Sequence, residues 1–160
     1  MTYHNIPPVY DVNSRILILG SFPSVKSRED AFFYAHPRNR FWRMLAAVFG
    51  CSEPENTDQK KLLLLNNHIA LWDVIASCDI NNSSDMSIKN ARPNDIGIIL
   101  CEAEIKKIIV NGKTAEKYYN RFLFPVTGIA CECLPSTSPA NAAIKTDELI
   151  KIWKNSLINY

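Results

Sequence analysis

Arg15-Ile16-Leu17-Ile18-Leu19-Gly20-Ser21-Phe22-Pro23-Ser24 decides how this chain is read. The apolar run Ile16 to Leu19 has the look of a buried strand, and it ends at Gly20. The next helix signal begins near Asn39, so about 18 residues connect the two, and loops that long inside a compact domain are uncommon and usually functional or disordered. This one carries Phe22, Phe32, Phe33 and Tyr34 and closes on His36-Pro37-Arg38-Asn39-Arg40, which is not the composition of disorder. An aromatic and basic loop at the carboxyl end of a parallel strand is where open α/β sheets hold ligands.

Outward from that stretch, strands are predicted at 15–20, 69–75, 107–111 and 128–134. Helices are predicted at 40–49, 59–67, 95–103, 114–122 and 140–157. Asn39 can cap the first helix by accepting from backbone N–H groups two or three residues on, and Gly50 ends it. Leu62 to Leu65 follow Asp58-Gln59-Lys60-Lys61 and read as helical. Residues 1–14 read as a polar, proline-bearing lead-in along the surface, and 76–93 as a long polar connection. Strands alternating with helices imply right-handed crossovers and a parallel sheet covered on both faces. The expected fold class is α/β: a three-layer α/β/α sandwich with a central four-stranded, mainly parallel sheet, in a single domain spanning 1–160. The loops 21–38, 76–93, 111–113 and 135–139 then gather at one edge.

The bulk properties narrow the function classes. The chain has 160 residues, 47% hydrophobic and 21% charged, as in a soluble globular protein with a full core. Net charge is only +2. Between Ser14 and Arg43, however, Arg15, Lys26, Arg28, Arg38, Arg40 and Arg43 face only Glu29 and Asp30, so this segment carries +4. A local basic face can bind phosphates without a high overall pI. No apolar run is long enough for a membrane span and no signal peptide is apparent, so a cytoplasmic location is expected. The five cysteines are read as reduced thiols, and Cys131-Glu132-Cys133 lacks zinc-ribbon spacing.

Three blocks carry a resemblance: Gly20-Ser21-Phe22-Pro23-Ser24, then Tyr34-Ala35-His36-Pro37-Arg38-Asn39-Arg40-Phe41-Trp42, then Leu134-Pro135-Ser136-Thr137-Ser138-Pro139-Ala140-Asn141. Together with Asn111-Gly112-Lys113-Thr114-Ala115, and in this order over residues 15 to 145, the chain resembles the uracil-DNA glycosylase superfamily. The similarity is greatest to its mismatch-specific branch and to the hypoxanthine-DNA (DNA-deoxyinosine) glycosylases. The resemblance implies a monofunctional enzyme that flips hypoxanthine out of double-stranded DNA and hydrolyses its N-glycosidic bond in base excision repair. It implies a monomer without cofactor or metal, cytoplasmic and nucleoid-associated if prokaryotic. Mismatch-specific relatives carry a catalytic Asn at the third position of the first motif, where this chain has Phe22. A phenyl ring cannot orient water, and the hypoxanthine branch is understood to use an Asn in the second block, here Asn39. A uracil- or mismatch-specific glycosylase, and a catalytically silent nucleic-acid-binding module, stay open as alternatives.

Excision of a stacked base calls for three devices. Arg38, Arg40, Lys113 and the hydroxyls of Ser136, Thr137 and Ser138 are the expected grip on DNA. Gly20, Ser21, Phe22, Pro23, Tyr34 and Asp73 are the expected base pocket, with Tyr34 as the stacking ring. Asn39 is the expected catalytic residue, a neutral amide able to hold a water. His36 is a further candidate, as a general acid.

Overall fold

The apolar run does form a strand. The structure, a computed structural model, describes residues 1–158. After the two-residue β1 (Thr2–Tyr3) comes β2 (Ile16–Gly20), with all five residues buried. Helices α1 (Val25–Asp30), α2 (Phe41–Phe49) and α3 (Thr57–Asn66) precede β3 (Ile69–Asp73) and β4 (Ile75–Asp79). A 3-10 turn at Asp85–Ser87 leads to β5 (Lys89–Pro93), α4 (Gly97–Leu100) and β6 (Lys107–Asn111). Then come α5 (Lys113–Tyr118), a π-helical segment Tyr119–Leu123, α6 (Phe124–Thr127), β7 (Cys131–Leu134) and α7 (Thr146–Ile158). The main sheet has the order β3-β2-β6-β7, with every pairing parallel. With its flanking helices it is the α/β architecture expected.

The differences have local causes. The connection 76–93 is not loop alone: β4 and β5 pair antiparallel and, with β1, make a second three-stranded sheet. Residue Val74 passes the chain from one sheet to the other, its N–H donating to the Gly20 carbonyl at 2.8 Å. The helix expected at 140–157 begins only at Thr146, because Ser138, Asn141 and Ser136 tie 136–141 into a turn of their own. The last strand starts at Cys131 rather than 128, since Gly128 (φ 67°) closes α6 just before it. The lead-in is more than a surface strip: Ile6 and Val9 are buried, Val9 bridges Leu71, and the Trp72 indole donates to the Ile6 carbonyl at 3.2 Å.

Helix α2 shows why this sequence folds here. Arg40, not Asn39, stands at the N-cap, because its carbonyl takes the first intrahelical bond, from the Met44 N–H at 2.8 Å; Asn39 Oδ1, one residue earlier, accepts from the Phe41 N–H at 3.0 Å, and Gly50 takes the left-handed conformation (φ 67°) that ends the helix. Phe41, Trp42, Met44, Leu45 and Val48 are all buried. Phe41 meets Trp153 of α7 edge-on at 6.2 Å, and the Trp153 indole donates to the Pro135 carbonyl at 3.0 Å. One tryptophan therefore fixes α7 to both α2 and the loop after β7.

The topology sets the place of the site. From β2 the chain first goes to one neighbour, β3, and later crosses to the other, β6. Strand order reverses between β2 and β6, and in open parallel sheets the crevice beyond that point receives ligands. Its two rims are Gly20 and Asn111.

Candidate active site

A cavity of about 480 Å³ opens at this switch point. Gly20 to Ser24 and Tyr34, His36 and Asn39 line it from the β2–α2 connection; Asp73 comes from the end of β3, and Ser136 to Ala140 from the loop after β7. Every residue expected in the base pocket is on this wall, as is Asn39. Ser83, Ser84, Asp85 and Met86 line it too and were not singled out from the sequence, and Asn111, read there only as part of the resemblance, also lines it.

Gly20 has no substitute here. A Cβ at this position would stand 2.5 Å from Asp73 Oδ1 and 2.9 Å from the Tyr34 hydroxyl. Its hydrogen atom lets both groups approach the floor of the cavity. Tyr34 is held in the left-handed region (φ 51°), with its ring stacked on Phe41 at 4.2 Å between centroids. Its hydroxyl lies close to the Asn111 amide but completes no hydrogen bond, and burial and the neighbouring Asp73 push its pKa up. Asp73 is 3% exposed, and its Oδ2 has no hydrogen-bond partner among the described residues. Burial, then the Asp85 charge, raises its pKa to about 7. Asp85 sits on an exposed turn, yet its carboxyl is tucked inward, accepting from the Ser21 hydroxyl at 3.2 and 3.3 Å. Burial raises its pKa as well, and the Ser21 hydrogen bond opposes that.

Phe22 is backed from outside the cavity. His4 meets its ring edge-on at 5.3 Å, and the Arg28 guanidinium lies 5.5 Å from its centroid. Burial lowers the His4 pKa, and its Nε2 is hydrogen-bonded to the Ile75 carbonyl at 2.9 Å. His36 lines the cavity, but its Nδ1 accepts from the Arg38 N–H at 3.1 Å, which commits that lone pair to the loop.

Asn39 joins a chain of side chains across two loops. Thr137 Oγ1 donates to Asn39 Oδ1 at 2.8 Å, Asn111 Nδ2 donates to Thr137 Oγ1 at 3.0 Å, and the Thr137 N–H donates to Asn111 Oδ1 at 3.0 Å. Gly112, directly after Asn111, has φ 96°, and a Cβ there would come within 2.9 Å of Ser136 Cβ. The two loops can therefore close only over a glycine.

Two residues expected to grip DNA are committed elsewhere. Thr137 is fully buried, with its hydroxyl given to Asn39. The Arg40 guanidinium points into the protein, donating to the Ile144 carbonyl at 2.8 Å, the Asn141 carbonyl at 3.0 Å and Thr146 Oγ1 at 3.4 Å. Arg38 is exposed. Lys113 is exposed as well, 3.7 Å from Glu116. The hydroxyl oxygens of Ser136 and Ser138 accept from the N–H groups of Ser138 and Ala140, which leaves both hydroxyl protons to donate.

A cavity of this size, walled by aromatic rings and by amide, hydroxyl and carboxyl groups, suits a planar polar ring such as a nucleobase. Comparison with known proteins gives the same class, the DNA glycosylases. The family model described as the uracil DNA glycosylase superfamily matches residues 7–156, and the chain belongs to that superfamily. It is 34% identical over 143 residues to a protein of Methanosarcina barkeri named hypoxanthine DNA glycosylase, covering 88% of this chain and 89% of that one. A second protein of the same name, from Methanosarcina acetivorans, is 35% identical over the same shares. The solution NMR structure of a candidate uracil DNA glycosylase from Methanosarcina acetivorans superposes with a TM-score of 0.80, at 30% identity and over 98% of this chain and 99% of that one.

Proposed function

We propose that this protein is a monofunctional DNA glycosylase that excises hypoxanthine from deoxyinosine-containing duplex DNA, in the first step of base excision repair. The observation that carries the reading is Asn39: it lines the cavity with an uncommitted Nδ2, in a chain whose first motif places only the phenyl ring of Phe22 where an amide could act. The names of the two archaeal relatives support the choice of base.

The other parts follow from the chemistry of the wall. The target nucleotide must leave the stack before its glycosidic bond is accessible. Tyr34, backed by Phe41, stacks on the extruded base. Asp73, its pKa raised to about 7 by burial and the Asp85 charge, offers in its protonated form a carboxyl O–H and a C=O side by side. Hypoxanthine presents the complement, a ring N–H next to a carbonyl. Arg38, Lys113, Ser136 and Ser138 hold phosphates, while Arg40 and Thr137 act from behind as braces. Met86, on the cavity rim and 98% exposed, is the apolar wedge that enters the gap left in the stack.

Duplexes carrying one inosine, and parallel duplexes carrying uracil or xanthine, are incubated with the protein and then treated with alkali to cut abasic sites. Cleavage at inosine in preference to the other bases is expected. Intact inosine strands at excess enzyme would overturn the reading.

A further inference from the structure

The hydrogen-bond directions around Asn39 can be assigned without ambiguity. A backbone N–H can only donate. The Phe41 N–H therefore identifies the atom it meets on Asn39 as the carbonyl oxygen. The Thr137 N–H does the same for Asn111. With its oxygen so placed, Asn111 turns its Nδ2 to Thr137 Oγ1, and an amide nitrogen donates. The Thr137 hydroxyl, already an acceptor, must then spend its proton on Asn39 Oδ1. Asn39 Oδ1 thus receives two donors, one for each lone pair. Among the described residues its Nδ2 has no hydrogen-bond partner, and the residue lines the cavity.

We infer that Asn39 serves the reaction as a hydrogen-bond donor to the departing base rather than as the acceptor that activates water, and that Thr137 and Asn111 are positioning residues that hold it in that orientation. The inference rests on the reading of this cavity as the hypoxanthine-excising site. In the step itself the C1′–N9 bond breaks and its electron pair leaves with the purine. Negative charge gathers on the acceptor atoms of the ring, and the Asn39 N–H strengthens its hydrogen bond to one of them without giving up its proton. A water oxygen forms the new bond to C1′, and the proton it releases goes through solvent to the purine, yielding neutral hypoxanthine and an abasic sugar. An amide suits this role because its donor strength does not depend on pH. The sequence expectation of a water-holding Asn39 is replaced, since both lone pairs that would hold the water are occupied.

Asn39→Asp gives a sharp test. A carboxylate oxygen keeps the bonds from Thr137 and Phe41, while the second oxygen faces the cavity where the N–H stood. The group facing the substrate changes from a neutral donor to an anionic acceptor at the same place. Single-turnover excision from an inosine duplex is expected to fall by about 10² or more, as for loss of one preorganised donor. Wild-type or faster excision by this variant would overturn the inference, because a water-activating acceptor tolerates or prefers the carboxylate. Thr137→Val, which removes the orienting proton, is expected to lower the excision rate constant at least tenfold with an unchanged half-saturating DNA concentration. Thr137→Ser, which keeps the proton, restores the rate. Equal loss in both Thr137 variants would refute the positioning role. The wild-type arm separates the failures: intact inosine strands with wild type overturn the proposed function, whereas inosine-active wild type with equally active Asn39→Asp overturns only this inference.

Discussion

At Asp73 a carboxyl group is 3% exposed, one of its oxygens is unpartnered, and Asp85 adds a like charge. Its pKa rises from 3.8 to about 7. Well below pH 3.8 the group is protonated in the folded and unfolded chain alike and has no differential effect. As the pH rises from there through 7, the unfolded chain ionises first, and the folded state loses up to about 4 kcal/mol. Asp73→Asn removes this penalty. The thermal midpoint of that variant should exceed the wild-type value by a wider margin at pH 8 than at pH 4, and a margin independent of pH would show that the raised pKa is wrong. Met86 offers the opposite case, a residue whose side chain supports nothing in the fold. Met86→Ala should leave the thermal midpoint unchanged and slow excision from duplex DNA about tenfold, a fraction of the few kcal/mol that unstacking costs. Excision from single-stranded inosine DNA should be unaffected. Equal slowing on both substrates would remove Met86 as the wedge.

Among the elements, the segment from Ser136 to Thr146 has no regular structure over most of its length, yet it supplies one wall of the cavity. The Arg40 N–H donates to the Thr137 carbonyl at 3.1 Å, and its guanidinium holds the carbonyls of Asn141 and Ile144. One residue at the start of α2 therefore braces the whole segment against the site. Arg40→Ala should lower stability by roughly 1.5–3 kcal/mol, the range for hydrogen bonds to a charged group. Denaturant unfolding monitored by tryptophan fluorescence measures the loss; an unchanged midpoint would mean that the segment is held without it. The elements also differed in how legible they were. The strands β2, β3 and β6 were readable because each is built on a buried apolar run, Ile16 to Leu19, Ile69 to Trp72 and Ile108 to Val110, a local signal. The strands β4 and β5 were not. Ser77, Asp79, Lys89, Asn90 and Arg92 carry polar groups along a small antiparallel sheet, and their pairing partners lie elsewhere in the chain. The helical character of Leu62 to Leu65 was readable from the polar residues before them, and they lie in α3.

For the whole molecule, local pattern by itself determined the class of the fold and the ends of three strands, because alternating buried strands and helices leave few ways to form a core. It also placed Gly20, Phe22 and Tyr34 at one edge, since loops after parallel strands share that edge, and the family resemblance added Asn39 and Asp73. What only the tertiary structure decided was the use of each polar side chain. Arg40 and Thr137 had the composition of DNA-binding residues and are spent inside the protein. Asp85 and Met86 had the composition of a solvated connection, but the second sheet turns that connection onto the cavity. The first stretch, Gly20 to Ser24, supplies the floor, and only folding the Asn111 and Thr137 loops against Asn39 determines which face of its amide meets the substrate. Hydrophobic periodicity is written along the chain and can be read there; the direction of a hydrogen bond depends on which distant groups are brought within about 3 Å, and that is a property of the folded state alone.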